Sequence, residues 1–466
     1  MDTLKQLLLI LTVIVSFNIM IFVHELGHFI AARWRGLKVE KFQIWFGKPL
    51  WSKNIGGVQY GLGWIPAGGF VALPQMAPMQ ALEGDREDAE PLPPISPLDK
   101  IIVAVAGPLF SLGLALVLGL GVWVIGKPQD RVNTTQVGFI KKDSPAERAG
   151  FALGDKILAV NGRPVEGFMG GLDCITENIV LSEGDAIEFT VMRTGENGPR
   201  VIRSSFETEQ TAWYQRRAMR QVGIAAVNPA LVQSLMPNSP AEKAGLQPGD
   251  EIVALDGIKV WSTPQISQYL ADRDFASTLA TVKRGDKTFD VALQPAAPLT
   301  PANQKPMLGI AWDTSGLIDS HIVHPSPIKQ CKDSVKMMLA TFTALFSPQS
   351  SIGVDQLSGP ISIAKAKFDL LNTDQNGWLR LLSFMVLINV NLAIFNMLPF
   401  PVLDGGHTTL ALMEWISRRP VQARILEYVQ SACALVLISL FLYITSKDIG
   451  GFVGPKEKNE PIRFAP

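Results

Sequence analysis

Hydropathy divides this chain into three parts. Apolar runs lie near both ends, over about residues 6–32, 101–125, 380–400 and 426–445, and the stretch between the second and third is polar with short apolar alternations. Each run reaches the roughly 20 residues that a bilayer core requires, which predicts four transmembrane helices. The third carries Asn389, Asn391 and Asn396. Polar groups at that depth need partners, so this helix is expected to face the protein interior. A shorter apolar segment, 337–346, follows Lys329, Lys332 and Lys336. Its length and cationic flank predict an amphipathic helix on the membrane surface.

The polar middle contains a repeat. Residues 143–165 (DSPAERAGFALGDKILAVNGRPV) align without a gap to 238–260 (NSPAEKAGLQPGDEIVALDGIKV), with twelve of 23 positions identical. Ser144 and Ser239 are placed to cap helices that begin at Pro145 and Pro240, and Gly150 and Gly245 supply left-handed stops. An alternating strand follows, then Asn161-Gly162 or Asp256-Gly257, which favours a tight hairpin turn. This helix–turn–strand unit resembles the core of PDZ domains, which bind extended peptide ends by strand addition. The resemblance assigns a first domain to 127–226 and a second to 227–315. It makes Val222-Gly223-Ile224 and Leu308-Gly309-Ile310 the loops bordering the peptide grooves, with Ile224 and Ile310 as groove residues.

Charge orients the spans. Arg33, Arg35, Lys38 and Lys41 crowd the end of the first, and Arg418, Arg419 and Arg424 fill the connection between the third and fourth. The excess of Lys and Arg in cytoplasmic loops puts both clusters inside, and the termini with 126–379 outside; the acidic stretch 83–90 reduces the contrast. The apolar stretch at the start is longer than the h-region of a signal peptide, about 7–15 residues, so it is expected to be retained as an anchor. Composition adds exclusions. With 42 basic and 42 acidic residues, nothing suggests nucleic acid as a partner. Three distant cysteines, Cys174, Cys331 and Cys433, support neither a disulfide framework nor a cysteine metal site.

The chemistry-bearing motif is His24-Glu25-Leu26-Gly27-His28, inside the first apolar run. Histidines four apart share one helix face and can grip one Zn²⁺, with the intervening glutamate as general base. Ionisable side chains are costly in a bilayer, which favours a functional reading. A catalytic zinc normally takes a third protein ligand. The third run ends in Asn396-Met397-Leu398-Pro399-Phe400-Pro401-Val402-Leu403-Asp404-Gly405-Gly406-His407, on the same membrane side by the charge rule. Asp404 is the candidate carboxylate, with His407 as an alternative ligand.

HExxH in the first span, NxxPxPxLDGG at the third and PDZ-like modules between them resemble the site-2 proteases, a family of intramembrane zinc metalloproteases. The layout is most similar to the bacterial regulator of sigma-E protease group. The resemblance implies a polytopic α-helical membrane protein with four transmembrane helices, a membrane-reentrant β-hairpin and two inserted PDZ domains of β-rich α+β type. The membrane parts would be 1–126 and 380–466, with 316–379 as a surface helix and connection. Zn²⁺ would be held by His24, His28 and Asp404, and Glu25 would be the catalytic base. The glycine-rich stretch 57–71 would be the hairpin, with Gly61 and Gly63, together with Asn396, Pro399 and Pro401, contacting substrate. Gly107-Pro108 and Leu357-Ser358-Gly359-Pro360 are similar to further family elements. The implied substrates are single-span membrane proteins of the anti-sigma-factor type, already trimmed by an upstream site-1-type protease, and also remnant signal peptides. The implied location is the bacterial inner membrane, with termini and PDZ domains periplasmic and the active site near the cytoplasmic side. A non-catalytic scaffold displaying two peptide-binding modules would leave the metal motif unexplained. A zinc transporter would need further ionisable residues along its path.

Overall fold

The computed structural model describes residues 2–76, 95–301, 304–373, 376–418, 423–451 and 461–465. The acidic stretch 83–90 and Arg419 lie outside them. The chain separates into two compact units. One comprises Met1–Pro128, Ile322–Leu339 and Leu357–Ile449; the other comprises Gln129–His321, Ala340–Gln356 and Gly450–Pro466.

The first unit is largely helical and holds the four helices that, among the described residues, are long and apolar enough to cross a membrane: Thr3–Trp34, Pro97–Ile125, Gly377–Asn396 and Leu426–Gly450. Helix α1 (Asp2–Trp34) carries the HExxH motif. Helix α2 (Pro97–Ile125) starts where a sequence rule would start it. Ser96 accepts from Asp99 N–H, Pro97 occupies the first turn, and Arg35 pairs with Asp99 at 2.6 Å. This helix packs on α1, on α9 (Gly377–Asn396) and on α10 (Asp404–Ser417), which makes it the centre of the unit. The contact with α1 is close because a Cβ at Gly27 would stand 2.5 Å from the Ala106 carbonyl oxygen. The last apolar helix, α11 (Ala423–Gly450), is tied in by Asp448, whose carboxylate accepts from Gly359 N–H at 3.2 Å and Ser362 N–H at 2.9 Å. These two amides sit at the start of α8 (Pro360–Thr373), where a carboxylate complements the helix dipole.

The β structure of this unit is larger than the 57–71 hairpin expected from sequence. It comprises β1 (Lys41–Ile55) and β2 (Val58–Ala72). Residues 41–44 pair on two sides, with 72–69 (Lys41↔Ala72 to Ile44↔Gly69) and with 59–62 (Lys41↔Gln59 to Ile44↔Leu62), while Trp51–Ile55 pair with Leu62–Val58. The order is therefore 51–55, 58–62, 41–44, 69–72, and among the described residues 69–72 is an edge. The basic residues Lys41, Lys48 and Lys53 and the interior Gly47-Lys48-Pro49 hid the first half of this sheet in the sequence. Phe46, Leu50, Trp51 and Trp64 project from it exposed.

The segment expected at 337–346 belongs to a twenty-residue helix, α7 (Pro327–Phe346). Its first half packs inward: Cys331 and Val335 join Ala115, Val122, Val386 and Val390 in one apolar cluster, and Gln330 donates to the Gly119 carbonyl at 3.0 Å.

The second unit contains two similar modules, and the repeat is visible atom by atom. Short helices α3 (Pro145–Arg148) and α5 (Pro240–Lys243) are capped by Ser144 and Ser239. Glu147 and Glu242 reach back to accept from Asp143 and Asn238 N–H, both at 2.6 Å. This reciprocal capping box satisfies two otherwise orphaned donors in each copy. The first module has β3 (Val137–Ile140), β4 (Lys156–Val160), α4 (Ile175–Val180), β5 (Ile187–Met192), β6 (Arg200–Ser204) and β7 (Ile224–Ala226). The second has β8 (Ala230–Leu235), β9 (Glu251–Leu255), α6 (Thr263–Asp272), β10 (Thr278–Arg284), β11 (Lys287–Leu293) and β12 (Ile310–Trp312). Its strands lie in the order β11-β10-β9-β8-β12. Each module has its own apolar core, around Phe189 in the first and Leu255 in the second.

Candidate metal centre

His24 and His28 lie one turn apart on the face of α1 that packs against α2, and they are 7% and 9% exposed. Their Nδ1 atoms are both engaged, His24 with Ser111 Oγ at 3.0 Å and His28 with the Val103 carbonyl at 2.8 Å. Hydrogen bonds of this kind fix ring orientation and leave the Nε2 lone pairs to face one point. Val103, Gly107 and Ser111 recur every four residues on α2 and so form one helix face. Gly107 is required there because a Cβ at this position would stand 2.2 Å from His28 Nε2.

Asp404 comes from the opposite end of the chain. Helix α9 ends at Asn396, the Met397–Leu403 turn reverses direction, and Asp404 opens α10. Two glycines permit this fold-back, since a Cβ at Gly405 would stand 2.3 Å from the Met397 carbonyl oxygen, and one at Gly406 would stand 2.0 Å from that of Phe400. Asp404 Oδ2 lies 3.2 Å from His24 Nε2 and 3.4 Å from His28 Nε2, and the two Nε2 atoms are 3.4 Å apart. Oδ2 is buried and, among the described residues, has no conventional hydrogen-bond partner. Donors about 2.0–2.1 Å from a tetrahedral zinc would stand about 3.3–3.4 Å from one another, so this triangle fits that ion. Among the described residues, these three form the sole cluster of metal-ligating side chains. His407 is not part of it.

Glu25 is half-buried and within electrostatic range of both histidines and Asp404. Asn396 reaches the cluster, its Nδ2 lying 3.2 Å from His24 Nε2. The other asparagines of α9 behave differently. Asn389 is fully buried and turns its amide to its own Met385 carbonyl, while Asn389 Oδ1 and Asn391 Oδ1 have no hydrogen-bond partner among the described residues. Pro399 and Pro401 lie in the turn that carries Asp404. The strand beside Glu25 is the 69–72 edge: a Cβ at Gly69 would stand 3.1 Å from Glu25 Cγ and 3.0 Å from Ile21. Gly61 lies inside the sheet, paired with Gln43 and Ser52, and Gly63 packs on the Trp45 and Phe46 carbonyls. Sequence reasoning missed Ser111, the Val103 carbonyl and Gly69. The four-residue spacing of Gly107 and Ser111 on α2 was the available signal for the first.

In the modules, Gly223 and Gly309 adopt left-handed backbone with φ of 86° and 71°. Ile224 and Ile310 begin β7 and β12 and pack partly buried against their cores.

A glutamate beside a buried His–His–carboxylate triangle, on a bundle of membrane-length helices, defines a metallopeptidase of the intramembrane kind. Comparison with known proteins agrees. The model of peptidase family M50 matches residues 12–440. A Neisseria meningitidis protein described as a zinc metalloprotease is 30% identical, over 89% of this chain and 93% of its own. The regulator of sigma E protease of Haemophilus influenzae is also 30% identical, over 93% and 95%. Among solved structures, a PDZ domain of an SdrC-like protein from Listeria monocytogenes covers 19% of this chain and 90% of its own, at 22% identity and a TM-score of 0.17. The chain belongs to peptidase family M50 and is a zinc metalloprotease of the site-2 type.

Proposed function

We propose that this enzyme hydrolyses peptide bonds within the transmembrane segments of single-span membrane proteins, after their external domains have been trimmed by another protease. The observation that carries the reading is the triangle of His24, His28 and Asp404 with Glu25 beside it, on helices α1 and α10 against α2. Bound Zn²⁺ would polarise a scissile carbonyl and acidify water. Glu25 takes the proton from the attacking water and returns it to the leaving amine. Ser111 and the Val103 carbonyl hold the imidazoles in register for the ion. Asn396, beside His24, is placed to donate to the substrate backbone.

A peptide bond in a helix is shielded by its own hydrogen bonds, so the substrate must be unwound and held extended. The 69–72 edge beside Glu25 suits that task by strand addition. Exposed Phe46, Trp51 and Trp64 suit a sheet that dips into lipid, as a re-entrant hairpin would. The two capped modules, read as PDZ domains, serve as a gate against bulky external domains. Relatives named regulators of sigma E protease favour substrates of the anti-sigma-factor type and an inner-membrane location. The basic residues Arg33, Arg35, Lys38 and Arg418 favour a cytoplasmic position for the metal site and a periplasmic one for the modules.

The test uses purified full-length protein and a model single-span substrate. Glu25→Gln is expected to keep stoichiometric zinc and lose about 10²–10⁴-fold in turnover. His24→Ala and Asp404→Ala are expected to lose zinc itself, read by metal analysis. Undiminished cleavage by Glu25→Gln would remove the base assignment, and full zinc occupancy in both ligand variants would remove the ligand set.

A further inference from the structure

The segment Pro461–Ala465, beyond the last apolar helix, is docked on the second module. Its backbone pairs with the connection between β11 and β12: Arg463 N–H donates to the Thr300 carbonyl at 3.0 Å, and the Arg463 carbonyl accepts from Leu299 N–H at 2.7 Å. Thr300 Oγ1 donates to the Pro461 carbonyl at 3.0 Å, and Lys243 Nζ donates to that of Ala465 at 3.0 Å. Phe464, in an otherwise largely exposed segment, is 6% exposed. Its ring lies where a side chain on residue 309 would project, 2.7 Å from the Cβ that Gly309 lacks, and Ser239 Cβ stands 2.4 Å from the same point. Gly309 is the centre of Leu308-Gly309-Ile310, so Phe464 and the Ser239 cap grip the back of the loop that opens β12. Beside Phe464 a cleft of about 360 Å³, lined among others by Pro240, Lys243, Ala292 and Gln294, remains unfilled.

We propose that Pro461–Ala465 is a built-in ligand of the second module. It adds a short strand at Thr300, inserts Phe464 behind Gly309 and preorganises the 308–310 loop for peptide binding. The groove half of the proposal rests on the PDZ reading of the module; the docking half does not. A loop held in its binding conformation loses less entropy when a peptide arrives, so engagement of the segment strengthens the groove.

Hydrogen exchange on the full-length chain in detergent tests the docking. Phe464→Ala is expected to speed exchange at 299–300 and 307–310 at least tenfold and to leave 137–226 unchanged. Lys243→Ala, which removes one terminal bond, should give a smaller acceleration at the same amides. Unchanged exchange at 299–310 in Phe464→Ala overturns the docking. Groove control is tested with a labelled octapeptide ending in valine with a free carboxylate, whose affinity is expected to fall at least threefold in Phe464→Ala. Equal or tighter affinity overturns the control. Absence of binding to wild type and variant alike overturns it together with the PDZ reading, while the docking still stands or falls on exchange.

Discussion

At the residue scale, the candidate site depends on what orients the two imidazoles as much as on the proposed ligands themselves. Ser111 holds His24 and the Val103 carbonyl holds His28, and removal of such outer partners typically weakens metal affinity by 10–100-fold. Ser111→Ala is therefore expected to raise the zinc dissociation constant by about that factor, in a competition titration with a chelator, without changing the fold. Gly107→Ala should be more severe, because the added methyl meets His28 Nε2 at 2.2 Å, between rigid helix backbones. Unaltered zinc affinity in both variants would mean that the imidazoles are positioned by something else. The convergence of His24 and His28 was legible in the sequence because their geometry is local to one helix. Asp404 was legible because two prolines and two glycines mark a broken helix next to a carboxylate. Val103 was not, since a backbone carbonyl leaves no mark in residue type. Gly61 and Gly63 followed from the family resemblance of the 57–71 stretch, and the pairing of 41–44 on both sides puts Gly69, further along the same stretch, beside Glu25.

At the scale of elements, the duplicated module shows which parts of a repeat sequence comparison can see. The caps and turns align at constant offset, but the strongest polar contact of each module does not. Asp155 and Asp250 are fully buried carboxylates, bound by Arg193 and Arg284 at 2.7 and 2.6 Å from differently spaced strands. The Arg284 guanidinium and the Gln247 N–H hold the Asp250 carboxyl below the usual carboxylate range against the opposing effect of burial. A depressed folded-state pKa contributes stability above the unfolded value, about 3.9, and that stability is lost as pH falls through the folded value. The second module should thus melt at lower temperature as pH drops below about 4. Asp250→Asn should flatten that acid dependence and destabilise the module at neutral pH by about 2 kcal/mol, less than for a fully buried pair because Arg284 is partly exposed. Thermal scans of the full chain followed by exchange at β9 and β10 would read both effects. Identical acid profiles for variant and wild type would assign the acid sensitivity to other groups.

At the scale of the whole molecule, the linear division expected from sequence gives way to one made by long-range contacts. Residues 316–379 read as a single connection, but 322–339 and 357–449 join the helical unit while 340–356 join the modules. Arg220 is the reason for the latter. It is buried, stacks on Phe206 at 3.8 Å, and donates to the Gln349 carbonyl and Ser351 Oγ, and Arg217 pairs with Asp355 at 2.9 Å. Such pairings lie more than a hundred residues apart and have no periodic signature. Two later segments of the chain, 349–355 and 461–465, thereby complete the unit that holds the modules. As proposed, the modules act as a gate, whereas a passive recruiting domain would only deliver substrate. Deleting 127–315 is therefore expected to let the enzyme cleave a single-span substrate whose external domain is intact, while cleavage of the trimmed substrate persists as the control for an assembled metal site. Both substrates would be followed side by side in a reconstituted assay. Loss of cleavage for both, with zinc retained, would make the modules recruiters and not a filter.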